Sequence, residues 1–185
     1  MGVNAKRTIF AVGIAIGLFV GGNAVAKEVD VEFDFNRMGR IASNQVAVWI
    51  EDSDGRHVRT LFVTDFTARR RGYRIRLAAL PAWVRSYEPA ARPAQEVDAV
   101  SHATPGNGRI RLTWDCKNSN SEPVPPGTYS VRIEGNIFWE EIVYFSAGIE
   151  VGGERTTVEP APVYTSDEAA ADIPLISSVV VTYHP

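Results

Sequence analysis

Val29, Val31, Phe33 and Phe35 alternate with Asp30, Glu32 and Asp34, so the first ordered run of the chain predicts a strand with one buried face and one acidic, hydrated face. In "QVAVWIED", Val46, Val48 and Ile50 fall on one side and Ala47 and Trp49 on the other. Both faces are apolar, as in a central strand covered on both sides. Asp54-Gly55 is a two-residue hairpin signal, so "HVRTLFV" is expected to pair back on the preceding strand. "RRRGYRIRL" alternates Tyr73, Ile75 and Leu77 against Arg74 and Arg76, and "RIRLTW" turns Ile110, Leu112 and Trp114 to one side. "TYSVRIEGN", "EEIVYFSAGIEV" and "SSVVVTYHP" complete a set of about eight or nine short strands separated by turn residues. The stretch Ala78–Tyr87, with Pro81 in its first turn, is the one place for a short helix, and "EPAARPAQ" reads as a connector. The pattern predicts an all-β fold, an antiparallel β-sandwich with at most one short helix.

The N-terminus does not share this pattern. Lys6 and Arg7 precede a run from Ile9 to Val20 that is wholly apolar or glycine, shorter than the ~20 residues needed to span a bilayer. Ala24-Val25-Ala26 then supplies small residues at the positions a signal peptidase reads. Residues 1–26 are therefore expected to be a cleaved signal peptide. Residues 27–185 are expected to be one exported domain, periplasmic in a bacterium and not membrane-spanning after cleavage. Loss of Lys6 and Arg7 leaves 17 Lys and Arg against 22 Asp and Glu, a net charge of −5. That weak acidity argues against nucleic acid as a partner. Cys116 is the single cysteine, so no internal disulfide is available, and a small buried apolar role is expected for it.

No Gly-x-Ser-x-Gly elbow or other local catalytic signature is present, so the sequence does not point to an enzyme. His57, His102 and His184 lack the close spacing of a metal site, and none is expected. Arg69, Arg70, Arg71, Arg74 and Arg76 form the densest charge cluster. Guanidinium forks suit phosphate, but a solvated basic face is the preferred reading.

Three resemblances add to this. Trp114-Asp115, a polar turn, and Pro126-Gly127-Thr128-Tyr129 resemble the closing hairpin of Ig-like domains of the flagellar hook-capping type. This implies an Ig-like sandwich in which Tyr129 buries its ring and bonds backbone through its hydroxyl. "VAVWIEDSDGRHVRTL", "VDAVSHAT", "RLTWD" and "VPPGTYSVRIEG" resemble a bacterial family of predicted periplasmic proteins of unknown function (domain of unknown function 2271). Finally, Asp98-Ala99-Val100-Ser101-His102-Ala103-Thr104 resembles the motif read by periplasmic flavin transferases, which split FAD and join FMN through its phosphate to a threonine hydroxyl.

That last resemblance implies a periplasmic electron-transfer protein with covalent FMN on Thr104, and with Asp98, Ser101 and Ala103 as transferase-recognition residues. Its partners would be the flavin transferase and a membrane redox protein. Trp83 and Tyr87, near the loop in sequence, are candidates to flank the flavin ring, and Arg85 or Arg109 to face its phosphate. His102 stands where the motif usually has glycine, and its imidazole is a candidate obstacle to attachment. The alternative is a cell-envelope Ig-like structural or binding module without a cofactor.

Overall fold

The structure, a computed structural model, describes residues 27–39, 44–69, 72–171 and 174–185. The expected leader, with Lys6, Arg7 and Ala24-Val25-Ala26, lies outside the described residues, as do Arg70 and Arg71 of the arginine cluster.

In chain order the elements are β1 (Glu28–Phe35), β2 (Gln45–Asp52), β3 (His57–Thr64), α1 (Gly72–Ile75), α2 (Pro81–Tyr87), a single 3-10 turn (Pro89–Ala91) and α3 (Ala94–Val100). There follow β4 (Ser101–His102), β5 (Gly108–Trp114), β6 (Gly127–Phe138), β7 (Glu141–Val151), β8 (Thr156–Val158), β9 (Val163–Tyr164), α4 (Asp167–Ala171) and β10 (Ile176–His184). They form two open sheets. One has the order β5-β1-β10-β8 and the other β4-β3-β2-β6-β7-β9.

The inner faces of both sheets meet in one apolar core. The first strand sends Val29, Val31, Phe33 and Phe35 into it. Val181 of the neighbouring β10 joins them, and opposite stand Val48, Ile50, Val131, Ile133 and Phe145 of the larger sheet. Trp114 is fully buried there, its indole N–H donating to the Lys117 carbonyl at 2.7 Å and its ring edge-on to Tyr129. The Tyr129 hydroxyl donates to the Pro125 carbonyl at 2.9 Å. The acidic face of β1 is hydrated but paired: Arg109 reaches Glu32 at 3.1 Å and Asp34 at 3.3 Å, and Arg111 reaches Glu32 at 3.3 Å. Gly55, at φ +76°, closes the expected hairpin between β2 and β3.

The expected all-β, antiparallel Ig-like β-sandwich with at most one short helix is overturned. Four α-helices occur among the described residues, the sheets are open, and β3 pairs with β4 in parallel. The reason lies in β2, whose second apolar face carries Ala47 and Trp49. It is covered by a second core in which Leu80, Trp83 and Tyr87 of the α2 region and Val97 of α3 pack on Trp49 and Val63. The chain is a mixed α and β architecture, sheet on sheet with α2 and α3 on the outer face of the larger sheet, while Ala169 of α4 packs into the core between the sheets.

Two local expectations fail with it. Trp114-Asp115 and Tyr129 do not belong to one hairpin, because β5 lies in the four-stranded sheet and β6 in the six-stranded one. The intervening polar segment crosses between sheets, with one isolated bridge from Lys117 to Pro123. The alternating run from Tyr73 to Leu77 is no strand either. Gly72 packs so closely on Phe66 that a Cβ would overlap the Phe66 carbonyl, and the chain there coils into α1. Ile75 and Leu77 are left 78% and 80% exposed.

Candidate functional site

The segment carrying Asp98, Ser101, Ala103 and Thr104 runs from the last turn of α3 through β4 into a loop. Val97 anchors α3 on the sheet, and Asp98 stands exposed in the last turn of that helix. The Asp98 carbonyl accepts the Ser101 backbone N–H, and the Ser101 hydroxyl turns back to donate to the Val97 carbonyl at 2.6 Å. Ser101 therefore closes the C-terminus of α3, where carbonyls lack helical partners. The next residue enters β4, pairing Ser101 with Val63 and His102 with Thr64. His102 is pinned twice: its carbonyl accepts the Asp65 N–H at 2.7 Å, and its ring stacks on Phe62 at 4.9 Å and 6°.

The chain then leaves the sheet. Ala103 is exposed and Thr104 half-buried, in a stretch without regular structure that ends at Asn107. The Asn107 side-chain carbonyl accepts the Arg37 N–H at 2.6 Å, and Gly108 at φ +135° turns the chain into β5. Among the described residues, the Thr104 hydroxyl has no hydrogen-bond partner. A short loop fixed at both ends thus presents a free alcohol, four residues beyond the end of α3 at Val100.

A groove of about 750 Å³ runs beside this segment, between α3 and the edges of β3 and β5. Ala99 and Val100 line it from the helix, Leu61 from β3 and Leu112 from β5. Arg59 and Arg92 also reach it. Arg92 lies over the Tyr87 ring at 5.0 Å and donates to the Tyr87 carbonyl at 3.2 Å. Glu96 faces it at 3.7 Å. Behind Tyr87, His57 bonds the Thr60 hydroxyl at 2.8 Å. Burial and then the Arg92 charge push its pKa down to about 4, so it is neutral at neutral pH. Beside Asp98 lies a smaller cleft of about 280 Å³ that Arg69, Tyr73, Arg74 and Arg92 also line.

The residues proposed by proximity in sequence fare unevenly. Trp83 is fully buried with its indole N–H on the Thr60 hydroxyl, so no ring can stack on it from solvent. Tyr87 is buried but lines the groove. Arg109 is committed to Glu32 and Asp34 on the four-stranded sheet, and Arg85 is exposed on α2. Sequence reasoning missed Arg59, Arg92 and the Phe62–His102 stack. They come from segments remote in sequence, and no local pattern marks them.

Among the described residues no three His, Cys, Asp or Glu side chains gather as a metal site, and no helix is long and apolar enough to cross a membrane. A family model described as "Predicted periplasmic protein (DUF2271)" matches residues 26–165. No curated protein and no solved structure matches the chain.

Proposed function

Because the chain belongs to the DUF2271 family of predicted periplasmic proteins and is itself periplasmic, we propose that it is a flavin carrier, with FMN joined by a phosphoester to Thr104 and used for electron transfer. The observation that carries this reading is the free Thr104 hydroxyl on a loop held at both ends. Attachment needs an accessible alcohol, and loops set on a rigid scaffold are where such groups are presented. In the reaction the Thr104 oxygen attacks the FMN-side phosphorus of FAD. The phosphoanhydride breaks, AMP leaves, and the hydroxyl proton passes to the transferase. Bound FMN supplies the redox chemistry, and the protein supplies position and surroundings.

The exposed Asp98 and Ala103 suit recognition by the transferase, whereas Ser101 shapes the approach by closing α3. A groove of about 750 Å³ falls within the ~300–1,000 Å³ common for small-molecule sites.

Co-expression with a periplasmic flavin transferase is expected to give a band that fluoresces after denaturing electrophoresis, with a mass raised by FMN less one water. Thr104→Val keeps the shape and removes the nucleophile, and is expected to stay dark while folding normally. A dark wild-type protein beside a transferase active on another substrate overturns the reading.

A further inference from the structure

We propose that the groove between α3, β3 and β5 is the seat of the isoalloxazine ring of the flavin carried by Thr104, an inference that rests on the reading above. Position is the first argument. Val100 lines the groove and lies four residues before Thr104, hence at most ~14 Å away along even a fully extended chain. Leu112 lines it from the strand that the same loop enters. The groove is thus joined to both ends of the loop that carries Thr104.

Chemistry is the second argument. The isoalloxazine is apolar at its dimethylbenzene end. At the other end it carries two carbonyl acceptors and an N–H donor. The groove offers Leu61, Val100 and Leu112 for the first, and Arg59, Arg92 and Asn120 for the second. Guanidinium groups present planar forks of donors and also stack on flat rings. Both are held in place beforehand. Arg59 donates to the Asn118 carbonyl at 3.1 Å and faces Asp115 at 3.6 Å; Arg92 is held by the Tyr87 carbonyl and Glu96. Each cation is matched by a carboxylate, so the groove presents its donors without net charge. Groups ordered before binding spare the ligand that cost. The tether lowers the demand further, because a short flexible linker gives an effective concentration of about a millimolar. A seat of weak intrinsic affinity is then well filled.

The test starts from the unlabelled mature protein, enriched in ¹⁵N and titrated with FMN into the millimolar range. Backbone amide shifts are expected at Leu61, Val100 and Leu112, saturating with a common affinity. Ala99→Trp, at an exposed position on the rim, fills the groove and is expected to abolish those shifts while leaving the rest of the spectrum in place. In protein labelled at Thr104, the same variant is expected to raise iodide quenching of the attached flavin toward that of free FMN. Shifts that are absent or lie elsewhere, or quenching unchanged by Ala99→Trp, overturn the seat. The titration needs no attachment and the gel band reports attachment alone, so failure of the seat and failure of the Thr104 reading are told apart.

Discussion

The fully buried Glu134 carboxylate of β6 accepts the backbone N–H of Trp83 at 2.8 Å, and with its other oxygen that of Ala82 at 3.1 Å. Those two amides open α2 and have no partner within it. One side chain thus joins the helical layer to the sheet beneath. Trp83 continues the connection through its indole to Thr60, and Thr60 to His57 under the groove. The polar chain fixes the wall that presents Tyr87 and Arg92.

Burial is the main reason why the Glu134 pKa is raised from 4.5 to about 7, against the amide bonds and Tyr144, which lower it. A carboxyl with a raised folded pKa contributes stability that is full below 4.5 and is lost as pH rises through 7. His57 works in the opposite sense. Its folded pKa is lowered from 6.5 to about 4, so its contribution is full above 6.5 and is lost as pH falls toward 4. Urea melts of wild type and Glu134→Gln from pH 4 to 8 separate the two. The wild type is expected to lose stability relative to the variant between pH 4.5 and 7, by about 3 kcal/mol at most. A difference that is flat with pH sinks this account.

Trp114 is fully buried and bonded through its indole to Lys117. Trp114→Ala is expected to cost about 3–5 kcal/mol in denaturant melts, from lost burial and the cavity left behind. A loss below about 1 kcal/mol contradicts its burial.

The strands of the core were legible because an apolar side chain at every second position leaves only one face to bury, as in β1. β2 also showed that both its faces were covered. What covered them was hidden. α3 begins after Pro93 in a segment whose Pro and Ala content reads as a connector, and its two apolar anchors, Val97 and Val100, make too short a helical period to stand out. The run from Tyr73 to Leu77 misled in the opposite direction: its alternation is real, yet Gly72 is locked on Phe66, and Ile75 and Leu77 are exposed. The sequence points to Thr104 only through its resemblance to the flavin-transferase motif, whereas Arg59 and Arg92 meet only through the fold.

Cys116 is buried at φ +51°, and burial, with Asp115 beside it, pushes its thiol pKa up to about 11. The thiolate is the reactive form. The folded protein is expected to resist a thiol-reactive disulfide reagent at pH 8 and to titrate one thiol only after unfolding in guanidinium. Rapid reaction of the native protein contradicts this.

His102 occupies the place where the flavin-attachment motif usually has glycine, and its backbone lies in β4, without a positive φ. The backbone conformation therefore does not demand glycine, and any obstruction comes from the side chain. That ring is stacked flat on Phe62, two residues before Thr104. His102→Gly removes the stack, worth about 0.5–1.5 kcal/mol, and adds the entropic cost of glycine in a strand, so a modest fall in stability is expected. The Thr104 hydroxyl is unchanged. Flavin incorporation, followed as in-gel fluorescence against time with limiting transferase, is expected to become faster and to reach the same one flavin per chain. Phe62→Leu separates the two ways in which the ring can hinder, because it releases the stack while keeping the imidazole in the motif. Faster labelling in both variants assigns the hindrance to the loop being held on the sheet. Faster labelling in His102→Gly alone assigns it to imidazole bulk at the transferase cleft. A rate unchanged in both variants shows that the enzyme accepts histidine at this position as it stands.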